Sequence, residues 1–362
     1  MSHTRPIVVA LPLDHETDDI LNSAGELSRR LGAPIIPVHA LGWRPETESG
    51  RVSRTASELD EVETHLAPLR DIGVELYEPV VERDAPDELV MSVANEANAQ
   101  LIITGGGGPV TVRRWVIGSM AEKIVRHAVI PVWVARGVLP VRGKILCPID
   151  LSPQSRVGLT AAIRMARLFE ARLVALSVIS ETDHGYIGED ELMIRLDRDE
   201  ARAQVQVEEF LDASDTSGID IDVRVTIGAP ADRIVEASEE AGLIVIGSRG
   251  FDMLKPGAIG TVTERALRFS RCSALTIRDS DEGRDRRERS LQRVAELTRK
   301  AAAMLEAGDP AKALPLLQMA ASRAPANAAV QESLARALDG VGRTEEADGR
   351  RKLAQMIRDS FR

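Results

Sequence analysis

Two glycine-bearing stretches hold the residues best suited to chemistry. Gly105 to Ser119 reads GGGGPVTVRRWVIGS, and Gly247 to Thr261 reads GSRGFDMLKPGAIGT. Each begins where a short apolar run ends (LIITG, LIVIG) and closes with a glycine and a hydroxyl residue ahead of helix-forming sequence. Glycine lets the backbone approach an anion closely. The unpaired N–H groups and positive dipole end of a helix N-terminus favour phosphate. The spacing is G-x2-G-x9-G-[ST], which is neither the P-loop nor the dinucleotide fingerprint. Upstream, LPLD ends at Asp14 and CPID at Asp150. A carboxylate there can accept hydrogen bonds from an amine or a hydroxyl, or it can simply cap the next helix.

These features come in pairs because the chain repeats itself. Gly105, Gly108, Gly118 and Ser119 recur as Gly247, Gly250, Gly260 and Thr261, all at one constant offset. LPLD matches CPID, and Ala85-Pro86 matches Ala229-Pro230, at offsets close to that one. Residues 1–280 therefore read as a tandem duplication. In each copy, short apolar runs alternate with amphipathic helical segments. IVVALPL and KILCPI come first, and IPVWVAR and SALTIRD come last. That alternation predicts βαβ units and a parallel sheet. Ligands bind such sheets outside the carboxyl ends of the strands. Asp14, Asp150 and both glycine loops fall at such ends.

With these motifs in both halves, residues 5–280 resemble the universal stress proteins. The resemblance implies an α/β fold of two tandem five-stranded parallel-sheet domains, 1–140 and 141–280, Rossmann-like and of the adenine nucleotide alpha hydrolase-like type. It implies ATP as ligand, with or without Mg, bound without a P-loop lysine. The matching positions in copy one are Pro12, Leu13, Asp14, Ala40, Gly105, Gly108, Gly118, Ser119 and Met120. In copy two they are Pro148, Ile149, Asp150, Val178, Gly247, Gly250, Gly260, Thr261 and Val262. The resemblance also implies a dimer, or a dimer-like pair within one chain. The copies depart from the family differently. Copy two keeps a serine-rich first turn, DLSPQS, where copy one crowds acids in DHETDD. Copy two also carries Asp252 in its loop, and Ser273 where copy one has Pro131.

Other chemistry is poorly supplied. The six histidines (His3, His15, His39, His65, His127, His184) show no metal spacing. His39, beside the implied adenine position, reads as a buried, hydrogen-bonded residue. No G-x-S-x-G elbow occurs. Cys147 and Cys272, the only cysteines, read as buried small apolar residues, with redox sensing the alternative. A net charge of -10 argues against nucleic-acid binding. No apolar run approaches a membrane span. The N-terminus lacks a signal-peptide layout, so the expectation is a soluble cytoplasmic protein.

Residues 281–362 form a third part, a linker helix followed by a shorter period. Gly308 recurs as Gly342, Ala313 as Ala347 and Ala320 as Ala354, again at one constant spacing. That spacing resembles the tetratricopeptide repeats, with units at 294–327 and 328–361. The consensus aromatics are absent, and Pro315 should kink or delay its helix. Two repeats are fewer than such arrays need, so their faces must pack on the stress-protein domains, a second chain or a partner. The combined expectation is an ATP-binding stress-response protein without dedicated turnover, whose repeats serve protein interaction or self-association as a homo-oligomer. The alternatives are a nucleotide-independent oligomeric scaffold and an adenine-nucleotide hydrolase.

Overall fold

The computed structural model describes residues 4–41, 48–107, 109–111, 114–115, 118–180, 189–247, 260–278, 284–324 and 327–359. Copy one runs β1 (Ile7–Ala10), α1 (Thr17–Leu31), β2 (Ile35–Ala40), α2 (Glu48–Asp71), β3 (Val80–Glu82), α3 (Pro86–Glu96) and β4 (Leu101–Gly105). A small hairpin, β5 (Pro109–Thr111) and β6 (Arg114–Trp115), leads to α4 (Ser119–His127) and β7 (Val132–Ala135). Copy two runs β8 (Lys144–Pro148), α5 (Pro153–Phe169), β9 (Arg172–Ile179), α6 (Glu189–Asp212), β10 (Ile221–Ile227), α7 (Pro230–Ser238), β11 (Leu243–Gly247), α8 (Thr261–Phe269) and β12 (Ser273–Ile277). The tail is α9 (Arg284–Glu306), α10 (Pro310–Arg323), α11 (Ala328–Gly340) and α12 (Thr344–Asp359).

The chain forms two compact bodies, residues 1–103 with 280–362, and residues 104–279. In the first, β1 lies between β4 and β2, with β3 outside β2, all parallel. The strand residues IVVA are buried on both faces, as a helix-covered parallel strand requires. The tail helices bury an alanine-rich seam that includes Ala301, Ala313, Ala320 and Ala335, with Leu317, Leu334 and Leu338. Gly308 (φ +76°) and Gly342 (φ +82°) turn the chain between the helices of each pair, a conformation that glycine adopts without strain. Asp309 caps α10 by accepting from the Lys312 N–H at 3.3 Å. Pro315 sits inside α10, which begins at Pro310, so the helix starts on time around it.

Against copy one, the tail is held by a buried cation. Arg323 ends α10, and its side chain is 0% exposed. It pairs with Glu82 at 2.6 Å and Glu96 at 3.2 Å, and donates to Ser92 Oγ at 3.1 Å. The described tail thus packs on copy one, within the first body.

In the second body the strand order is β10-β9-β8-β11-β12-β7. All neighbours are parallel except β12 and β7, which pair antiparallel with Trp133 opposite Leu275. Those two residues stand at the same offset as the two glycine loops and so occupy the same place in the two copies. A local pseudo-twofold therefore passes between them. Charges follow it: Arg126 bonds Glu122 at 3.0 Å and faces Glu264 at 3.8 Å, while Arg268 bonds Glu264 at 3.3 Å and Glu122 at 3.4 Å.

Candidate functional site

Copy two can be built up residue by residue within one body. Cys147 and Pro148 pair with Ala175 and Leu176 at the carboxyl end of β8. The Ile149 N–H donates to Leu176 O at 2.8 Å, and the chain then leaves the sheet at exposed Asp150. Asp150 Oδ1 accepts from the Ser152 N–H at 3.0 Å. Leu151 takes φ +63° to make that turn. Ser152 caps α5, its Oγ accepting from the Ser155 N–H at 3.1 Å. The Ser155 hydroxyl returns a bond to Ser152 O at 3.0 Å. The serine-rich first turn is thus used to start the helix.

Val178 lies near the end of β9, and Gly247 ends β11. A Cβ on Gly158 of α5 would stand 3.1 Å from the Gly247 nitrogen, so glycine lets that helix pass close to the strand end. Gly260 caps α8 in extended conformation (φ −61°, ψ 142°) with no side-chain bond to the first turn. Thr261 opens the helix exposed, and Val262 follows half-buried. Within the first turn, the Thr263 hydroxyl donates to Gly247 O at 3.0 Å and ties α8 to the strand. Asp150, Val178, Gly247 and Gly260 thus share the carboxyl side of adjacent strands. Gly250 and Asp252 lie outside the described residues.

Copy one differs at the same step. The Leu11 N–H donates to Val38 O at 2.9 Å, the bond that Ile149 makes to Leu176 O in copy two. The ladder therefore equates Leu11 with Ile149, whereas aligning LPLD on CPID would equate Leu13 with Ile149. Pro12 stands where copy two has Asp150, and Asp14 stands where it has Ser152. Asp14 forms a local turn: its Oδ1 accepts from the Glu16 N–H at 2.9 Å and its N–H donates to Thr17 Oγ1 at 3.0 Å. Leu13, at φ +57°, matches Leu151 at φ +63°. Ala40 ends β2 opposite Glu82. Buried His39 binds Leu11 O through Nδ1 at 2.7 Å and faces Glu58 through Nε2 at 3.2 Å. In the second body, Gly105 ends β4, Gly118 caps α4 without a side-chain bond, and Ser119 and Met120 begin the helix. Gly108 lies outside the described residues.

Sequence reasoning missed Thr263, which binds Gly247 O, and Arg136, which binds Gly106 O through Nε at 3.0 Å. The second glycine of GGGG and the arginine ending the last strand of each copy were the available signals. Among the described residues no cluster of His, Cys, Asp and Glu could hold a metal, and no helix is long and apolar enough to cross a membrane.

Fold and strand ends together define a tandem α/β protein with paired glycine-capped helices at the carboxyl side of its sheet strands. The chain belongs to the Universal stress protein family, whose profile matches residues 3–136 and 142–278. Universal stress protein Rv2005c of Mycobacterium tuberculosis is 26% identical over 203 residues, 54% of this chain and 66% of that protein. The match thus spans just under two thirds of that relative's length. The crystal structure of a universal stress protein from Archaeoglobus fulgidus aligns over 75% of this chain and 98% of its own, with a TM-score of 0.57 and 18% identity. A shorter universal stress protein from the same organism, solved in complex with dAMP, covers 36% of this chain at 26% identity and a TM-score of 0.29.

Proposed function

We propose that this protein binds an adenine nucleotide, ATP in the first instance, at the copy-two strand ends and acts through that occupancy rather than through turnover. The observation that carries the reading is the joint placement of Asp150, Gly247 and glycine-capped α8 at the carboxyl side of β8 and β11. The donor set suits the ligand. Asp150 offers a carboxylate to a ribose hydroxyl or an adenine amine, and the open first turn at Gly260 and Thr261 offers N–H groups and a hydroxyl to phosphate oxygens. A nucleotide would bring the anion that the helix end favours. In this reading copy two is the stronger site, because Pro12 takes the Asp150 position in copy one. The tail, with its repeated glycine and alanine spacing, supplies a tetratricopeptide-like surface for a protein partner or for self-association, and the protein works in the cytoplasm as a homo-oligomer.

The test is calorimetric titration of ATP into the full chain. Wild type should bind. Asp150→Ala should weaken binding about tenfold or more, the cost of one hydrogen bond to a charged group. Gly250→Val, in the same loop motif, should weaken it further, while Asp14→Ala should leave the affinity near wild type. Absence of heat in wild type, or Asp14→Ala and Asp150→Ala behaving alike, would refute the assignment.

A further inference from the structure

Arg136 follows β7, and Arg278 follows β12 at the equivalent place in copy two. Arg136 is 1% exposed. Its Nε donates to Gly106 O at 3.0 Å, and its Nη2 donates to the same carbonyl. Its Nη1 donates to Leu267 O at 2.7 Å and Ser270 O at 2.8 Å. Its backbone N–H donates to Ser273 Oγ at 3.0 Å, and the Ser273 hydroxyl donates back to Arg136 O at 2.9 Å. One guanidinium therefore holds the second glycine of the copy-one loop and the last turn of α8 together. The carbonyls ending α8 are the negative end of its dipole, where a cation is favoured.

The glycine is matched to this contact. A Cβ at Gly106 would overlap the Arg136 side chain, so this member of the GGGG run makes room for an arginine rather than for a ligand. Arg278 repeats the grip in the other direction, its Nη2 donating to Arg126 O at 2.9 Å in the last turn of α4. Each copy's closing arginine thus grips the end of the helix that opens at the other copy's glycine loop. Helix α8 is about 13 Å long, short enough to move as a rod. Its first turn is tied to Gly247 by Thr263 and its last turn to Gly106 by Arg136.

We infer that Arg136 is a positioning residue that couples the copy-one glycine loop to the copy-two helix α8, so that a change at the start of α8 is felt at Gly106. The nucleotide half of this inference rests on the proposed function; the mechanical half does not. Two arms of a hydrogen-exchange experiment on the full chain separate them. In the first, without nucleotide, Thr263→Val frees the start of α8. Amide exchange at Gly106 and Gly107 should then rise about fivefold or more when Arg136 is present. In an Arg136→Lys background, which keeps the charge but cannot bridge three carbonyls, Thr263→Val should add nothing there. Gly106→Ala, which displaces the arginine from the loop, should uncouple in the same way. No response at Gly106 with Arg136 present, or an equal response in both backgrounds, overturns the coupling. In the second arm, ATP should slow exchange at the start of α8 and at Gly106 in wild type, but only at α8 in Arg136→Lys. ATP that slows neither segment, with the first arm intact, removes the nucleotide reading and leaves the coupling standing.

Discussion

Burial holds both cysteine thiols far from reactivity. Cys147 is pushed up to about 12 by desolvation alone. Cys272 is also pushed up to about 12, because its desolvation outweighs the nearby Arg136 charge and backbone hydrogen bonds. Thiolate is the reactive form, so near pH 8 almost none exists in the folded chain. We therefore expect both thiols to resist iodoacetamide at about pH 8 in the native protein and to react fully once denaturant is added. Rapid native labelling of either would contradict its buried placement. The same scale shows what single residues disclose in a sequence. The ends of β8 and β11 at Asp150 and Gly247 were legible because a short apolar run stops there. LPLD and CPID look alike in the sequence, and only the backbone ladder reveals that Asp14 and Asp150 are out of step. Arg136 looked like any strand-end charge, since nothing in its neighbours names the distant carbonyls of Leu267 and Ser270 that it meets.

At the level of elements, β7 and β12 join the two copies through apolar packing, and α4 and α8 join them through a ring of four charges. These contribute unequally. Trp133 is fully buried and stands 6.1 Å from the Phe169 ring, so Trp133→Ala leaves a large cavity and should cost about 4 kcal/mol. Glu264 is about a third exposed, as are its partners, so water screens the ring. Glu264→Gln should therefore cost less than about 1 kcal/mol. Urea unfolding of the two variants checks the ranking, and a larger loss for Glu264→Gln would reverse it. The alternating apolar runs predicted these strands well, because period and burial are local properties. The antiparallel pairing of β7 with β12 was not legible, since it depends on two distant segments meeting across the pseudo-twofold.

For the molecule as a whole, charge matches the tail to copy one within the first body. Glu82 sits opposite Ala40 on β3, and the residue in the corresponding place of copy two, opposite Val178, is Thr226. Copy one thus offers a carboxylate there to pair with Arg323, and Glu96, with its side chain 0% exposed, supplies a second. Burial works against the charged guanidinium, but hydrogen bonds and charge from Glu82 and Glu96 outweigh it and hold Arg323 above its ordinary range. Arg323→Ala would leave Glu96 buried without this cation, which should cost about 3 kcal/mol or more. Because Arg323 and its partners all belong to the first body, the loss should be confined there. Hydrogen exchange should rise across α3 and α10 to α12 while α8 and β12 keep their protection. Adding Glu82→Gln and Glu96→Gln to Arg323→Ala should recover part of the stability, since a neutral amide is far cheaper to bury than a carboxylate that has lost its cation. Equal deprotection of α8 would mean that the bodies do not unfold separately. No recovery in the triple variant would mean that shape, rather than charge, holds the tail on copy one.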